Sequence, residues 1–456
     1  MFRFSPSETF AIFVMTLITI VWYIERKLDL EETLLTSEYY HKFQAHTLRV
    51  FRKIVKNRTA VMLSLAWVIL ASVFFLLPEG ERFDTIASDV ISILVALLLA
   101  YLSADYFLQY SKHSERIRIK SQDDIIEHYM SEDSDGPDLT NDFINMGKLE
   151  SWRRGDIDKI PAAVESMPGE LRKLNELSME IEDNMYEIDE DIYGMIEPEE
   201  NLFLGEFQRG NHYSGLLFRL DSISDDGLEF YGEKTTYYRS FVTNFCPDLT
   251  FNNGSTTLRK LTDDILFQNE GLRDMSESPL SDHLGVACMC ITMDGDSWFV
   301  VRSHEVAVEQ LAISLPVSGS ASLSAGEGDI SELAVEDFIY EEAKKEIGAD
   351  RTDIKNIFYL GTVRRMERLG KPDIFAVAFL EEDFNPSINE SEYVDVWKPD
   401  ADVQITEPAE LFKDENVEKL INAYALSLAK KDRSVSTGLL SCLYLFKKVA
   451  DSIDNE

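Results

Sequence analysis

The sequence predicts an α-helical membrane segment followed by an α/β domain, a mixed sheet with flanking helices. Three observations carry that expectation. Three apolar runs open the chain, an acidic stretch with helical periodicity follows them, and beyond residue 202 strand-like segments surround one helix before two closing helices.

The 456 residues accommodate one membrane segment and one or two globular domains. A formal net charge of -38 repels nucleic-acid backbones and anionic lipid heads, which argues against a broad DNA- or RNA-binding surface and leaves any nucleotide recognition local. Cys246, Cys288, Cys290 and Cys442 lack the paired spacing of a zinc site. They are expected to be reduced and structural, Cys288 and Cys290 on one face of a buried strand.

A bilayer needs roughly 20 helical residues. Thr59 to Pro78 meets that length without a charge, Ile86 to Leu108 is long enough with Asp89 and Asp105 near its ends, and Thr9 to Ile24 is shorter. The last has no small-residue cleavage site after it and reads as an uncleaved helix. Residues 1–120 are therefore assigned to a membrane segment with helices at about 9–24, 59–78 and 86–108. Basic residues crowd the connection after the first run and the stretch after the third, whereas the connection between the second and third holds only Arg82. By the positive-inside rule, everything after residue 109 faces the cytoplasm, at the inner side of a membrane.

Residues 121–201 read as an acidic helical linker, because Leu171, Leu174, Leu177, Ile181, Met185 and Ile188 recur at three- and four-residue steps. Residues 202–456 read as the soluble domain. Strands are expected around Leu216 to Leu220, Leu228 to Tyr231 and Tyr237 to Val242, with a turn at Asp226-Gly227. A second strand pair flanks Asp294-Gly295, a helix runs from about Ser331 to Ile347, two strands meet near Gly370, and two helices close the chain.

The stretch "YEEAKKEIGA" carries the chemistry. With a strand ending in Arg302 and a loop retaining Leu315, Pro316, Gly319 and Gly326-Glu327, it resembles the box of the Nudix family, G-x5-E-x7-R-E-U-x-E-E-x-G-U. Hard divalent cations need oxygen ligands, and carboxylates one helical turn apart converge on one face. Aligned on Gly348, Glu342 and Glu346 match two of the family's ligands for magnesium or manganese. Lys345 stands where active members carry a third glutamate, and Glu341 stands where they carry arginine. A lysine at roughly 4 Å in an effective dielectric of about 20 opposes a metal by about 4 kcal/mol per unit of ion charge. The resemblance thus implies the fold more than hydrolysis, with no cofactor expected.

A phosphate-binding pocket is the alternative use of such a scaffold. Arg302, Lys344, Lys345, Arg364, Arg365, Arg368 and Lys371 form the most basic neighbourhood of the domain, and Tyr359, Phe358 and Trp298 are candidates to stack on bases, with Tyr237 and Tyr238 weaker ones.

Membrane helices before a degenerate Nudix-like domain resemble the transmembrane-Nudix effector class of cyclic-oligonucleotide-based anti-phage signalling systems (CBASS). That resemblance implies a cyclic di- or oligonucleotide ligand made by a partner synthase, a lipid bilayer as target, homo-oligomerisation on activation, and abortive infection through membrane disruption. Two alternatives stay open. One is a membrane-anchored Nudix hydrolase of a nucleoside diphosphate derivative, with Glu342 and Glu346 holding magnesium or manganese, and the other is a membrane scaffold with an inert domain.

Overall fold

The computed structural model describes residues 122–130, 143–146 and, with short interruptions, 159–454. The apolar runs at about 9–24, 59–78 and 86–108 lie outside the described residues. Among the described residues no helix is long and apolar enough to cross a membrane. Residues 113–456 form one compact unit.

In chain order the main elements are α1 (Gln122–Met130), β1 (Ala162–Ser166), β2 (Arg172–Lys173), β3 (Ser178–Met185), α2 (Glu190–Ile196), β4 (Leu216–Ile223), β5 (Glu229–Thr236), α3 (Tyr237–Thr243) and α4 (Leu258–Leu266). They continue with β6 (Gly285–Thr292), β7 (Phe299–Arg302), β8 (Ile313–Ser314), β9 (Val317–Ser320), α5 (Val335–Glu346), β10 (Ile354–Arg365), β11 (Lys371–Leu380), β12 (Tyr393–Trp397), α6 (Asp414–Leu428) and α7 (Thr437–Asp454).

The central sheet is mixed, in the order β9-β6-β11-β10-β1, with β2 also pairing to β10. β6 and β11 are parallel, in register from Gly285 opposite Asp373 to Thr292 opposite Leu380, and the other pairings are antiparallel. Strand β6, "GVACMCIT", is apolar almost throughout and buried along its whole length, as expected of a strand covered on both faces. Its alternation sorts the core. Val286, Cys288 and Cys290 join Ile374, Ala376 and Ala378 of β11 beneath Phe338, Ile339 and Ala343 of α5. Ala287, Met289 and Ile291 face the other way with Phe375, Val377 and Phe379, against Leu439, Leu443, Phe446 and Val449 of α7. Fully burying each of these large side chains contributes about 1.5–3 kcal/mol, so both helix layers are fixed to the sheet by apolar contact.

Two smaller sheets flank it, β8-β7-β12 and β3-β5-β4. The Asp226-Gly227 and Asp294-Gly295 turns form as expected, both glycines taking the left-handed conformation at φ 74° and 79°. All four cysteines are buried thiols outside any disulfide.

Two expectations are corrected. Within the stretch 121–201, residues 162–185 are not a helical linker: Ala162–Ser166 and Arg172–Lys173 pair with β10, and Ser178–Met185 pairs with β5. Leu174, opening a 3-10 turn, and Leu177, the extended residue that closes it, enter the core beside α5 between the short strands that dock on the sheets. Tyr237–Thr243 is a helix, not a strand. Thr236 caps it by accepting from the Arg239 amide, and Phe241, Val242 and Phe245 pack it onto a third cluster with α1 and α2.

Candidate functional site

Helix α5 is amphipathic, so its apolar face fixes which way the acidic face points. Gly348, at φ +72°, then ends the helix where an ordinary residue would be strained. Glu342 lies against β9, so close to Gly319 that a Cβ there would stand 2.4 Å from the Glu342 carboxyl carbon. Glycine is thus required for the approach of loop and helix. Lys345 Nζ donates to Glu342 Oε1 at 2.8 Å. Burial still raises the Glu342 pKa above its ordinary value, with the lysine contact opposing it.

Glu346, one turn on, is 7% exposed, and its Oε2 has no hydrogen-bond partner. Burial, then the charges of Glu392 and Glu342, push its carboxyl up to about 7, while the Tyr393 hydroxyl and Arg302 oppose the shift. Among the described residues no group of three or more His, Cys, Asp or Glu side chains is placed to hold a metal ion. With Glu342 already engaged by an ammonium group and Lys345 in place of a third carboxylate, the described donors do not fit a magnesium or manganese site.

Arg302 closes β7, half-buried, with Nη1 3.4 Å from Ser318 Oγ and its Nε buried without a partner. Its charge acts on Glu346 and Tyr393 on one side and on Glu309 and Tyr237 on the other. It therefore links the α5 carboxylates to a second charged cluster at the β10–β11 corner. There Arg365 forms ion pairs with Asp373 at 3.2 Å, Glu309 at 3.0 Å and Glu367. Lys371 pairs with Asp373. Burial lowers the Lys371 pKa to about 8, whereas Lys371 and Arg365 overcome burial to hold Asp373 low. Gly285 makes room for this cluster, since a Cβ there would meet Asp373 Oδ1 at 1.9 Å.

The sequence-derived candidates thus divide. Lys345, Arg302 and Arg368 adjoin the two charged groups. Lys344 faces solvent, paired with Asp350 at 2.8 Å. Arg364 is buried, donating to the Gly370 carbonyl and lying 3.8 Å from Glu165, and Arg365 is consumed by its three carboxylates. Tyr359 is a correction. It is fully buried, shares a hydrogen bond with Thr362 at 2.8 Å and meets the edge of Phe230, so its ring has no open face for a base. Phe358 and Trp298 are likewise buried, against Phe412 and Phe384. Phe358 and Tyr359, neighbours on β10, point to opposite cores, and Trp298 is buried just ahead of β7, which explains why aromatic content did not translate into a stacking surface.

Sequence reasoning missed Tyr393, Glu309, His283 and Phe245. His283, just ahead of β6, was the most findable, as one of only seven histidines and the neighbour of a buried strand. The other three sit in segments whose local pattern gives no hint of the partner across the fold.

No protein-family model and no curated protein matches the chain. Among solved structures it is similar to the protein DR0079 from Deinococcus radiodurans (14% identity, 37% of this chain and 82% of that one, TM-score 0.24). It is also similar to a MutT protein from Methanosarcina mazei (12% identity, 38% and 96%, TM-score 0.23) and to a MutT Nudix hydrolase from Burkholderia pseudomallei (17% identity, 25% and 81%, TM-score 0.19). The domain is Nudix-like in its own elements: a mixed sheet with parallel β6 and β11, a strand ending in arginine, and an acidic helix packed on that sheet.

Proposed function

We propose that the chain is a ligand-gated membrane effector of the CBASS type, whose Nudix-like domain binds a cyclic di- or oligonucleotide made by a partner synthase. The observation that carries this reading is the Lys345–Glu342 contact, which puts a cation where a metal-dependent hydrolase needs a carboxylate. Such a contact disfavours divalent metal, and Arg302 acts both on Glu346 of α5 and, with Arg368, on Glu309. Ligand binding would act by stabilising one of two states of the domain, and only a difference in affinity between them can drive the membrane helices. Those helices would then disrupt the bacterial inner membrane as a homo-oligomer, ending the infected cell.

The test is a thermal-shift measurement on the full chain in detergent. Cyclic di- and oligonucleotides are expected to raise Tm without added metal. Turnover of a nucleoside diphosphate derivative with magnesium, and no cyclic-nucleotide shift, would instead support the membrane-anchored hydrolase. That alternative has one observation in its favour, the Glu346 carboxyl held near neutrality where it could exchange a proton.

A further inference from the structure

Arg368 is 8% exposed, yet among the described residues its guanidinium makes no ion pair and its Nε no hydrogen bond. Three carboxylates favour its charge from beyond ion-pair distance. Glu309, Glu367 and Asp373 are all engaged by Arg365, and Asp373 by Lys371 as well. What holds Arg368 is an aromatic face, with its guanidinium carbon 4.7 Å from the Phe245 ring centroid. Leaving a buried donor unmade is costly, so the Arg368 Nε favours an added oxyanion as its acceptor.

A path of polar groups runs from Arg368 to Arg302. His283 stacks on Phe245 at 5.5 Å and shares a hydrogen bond of 3.0 Å between its Nε2 and Ser320 Oγ. Ser318, two residues earlier on β9 and therefore on the same face, meets Arg302. Burial and the charges of Lys371 and Arg368 keep the His283 imidazole neutral, so it is an orienting group and not a third cation. Arg302 and Arg368 both act on Glu309 and on Tyr237, whose ring lies 5.6 Å from Phe245. Each arginine presents a buried, unpartnered Nε. Both guanidinium groups thus act on the same carboxylate, Glu309, and each keeps one donor from which an added oxyanion would accept.

We propose that Arg302 and Arg368, backed by Ser318, Ser320 and the Tyr237–Phe245–His283 wall, form a binding site for one phosphoryl oxyanion, free or carried as a phosphodiester. The site deepens the sensor reading by assigning the ligand's phosphate to this wall and not to the α5 lysines, and it rests on that reading only for the identity of the ligand.

The experiment is a thermal-shift and calorimetric titration of the full chain with inorganic phosphate at matched ionic strength, repeated with a cyclic dinucleotide. Phosphate is expected to raise Tm, and Arg302→Gln and Arg368→Lys are each expected to weaken it by about tenfold, the scale of one lost charge-assisted contact. Lys344→Ala is expected to leave it unchanged. Arg302 is half-buried, so its variant carries the test if the Arg368 variant fails to fold. Absence of a phosphate effect in the unaltered chain, or its survival in both arginine variants, overturns the site. Phosphate binding that depends on both arginines but is not displaced by any cyclic dinucleotide leaves the site standing and removes the sensor reading. Cyclic-dinucleotide binding indifferent to both arginines does the reverse.

Discussion

Lys345 Nζ stands 2.8 Å from Glu342 Oε1, three residues away on α5, so the residue that departs from the metal-binding pattern also occupies the carboxylate that remains. Lys345 is 56% exposed, and as a stability element the pair is worth only about 0–1 kcal/mol after solvent screening. Its effect is on what the helix can bind.

Replacing Lys345 by glutamate removes one cation and supplies one ligand together. Manganese affinity, measured calorimetrically on the full chain, is expected to rise by at least about tenfold in Lys345→Glu, with Lys345→Ala between the variant and the unaltered chain. Equal affinities in all three would mean that α5 does not descend from a metal-binding helix.

The box helix was legible in the sequence because helix geometry is local: spacing alone puts Glu342 and Glu346 on one face, and Gly348 marks the end. Strand β6 was legible too, its continuous apolar run having no other home. The strands drawn from 162–185 were not. Their leucines recur at helical steps, and only docking beside β10 and β5 shows that short strands and one 3-10 turn bury the same side chains. The site was legible by half for a related reason. Basic residues can be counted in a sequence, but whether an arginine is spent, as Arg365 is on Glu309, Glu367 and Asp373, depends on partners as far as 56 residues away.

Leu174 tests the reassigned segment. It is fully buried among Leu177, Met179 and the α5 core, so Leu174→Ala is expected to cost about 2–5 kcal/mol in urea unfolding. A chain begun at residue 202 would strip β1 and β2 from β10 and is expected to aggregate or lose its cooperative transition. A neutral Leu174→Ala would return the segment to the status of a linker.

Gly319 tests the contact between loop and helix. A Cβ there would fall 2.4 and 2.5 Å from Glu342 Cδ and Cγ. The obstacle is a side chain, so Glu342 would swing away and release Lys345. Gly319→Ala is expected to cost about 1–3 kcal/mol and to make Lys345 acylate faster, read by mass spectrometry of the labelled peptide. Unchanged labelling would mean that the lysine is not held by Glu342 in solution.

Glu346 gives the domain a pH signature whose sign can be worked out. Its folded pKa, about 7, lies above the ordinary 4.5, chiefly through burial. The folded protein therefore keeps a proton that the unfolded chain releases between those values. The resulting stability is fully present below about pH 4.5, drains as pH rises, and is gone above about pH 7, where a buried carboxylate must be tolerated. Glutamine keeps the acceptor for Tyr393 and never ionises. Glu346→Gln is thus expected to match the unaltered chain near pH 5 and to exceed it at pH 8 by up to about 3 kcal/mol, compared by urea titration across the range. Parallel curves across that interval would mean that water or a counter-ion reaches the carboxyl, and that α5 carries an ordinary glutamate at the position where the family holds its metal.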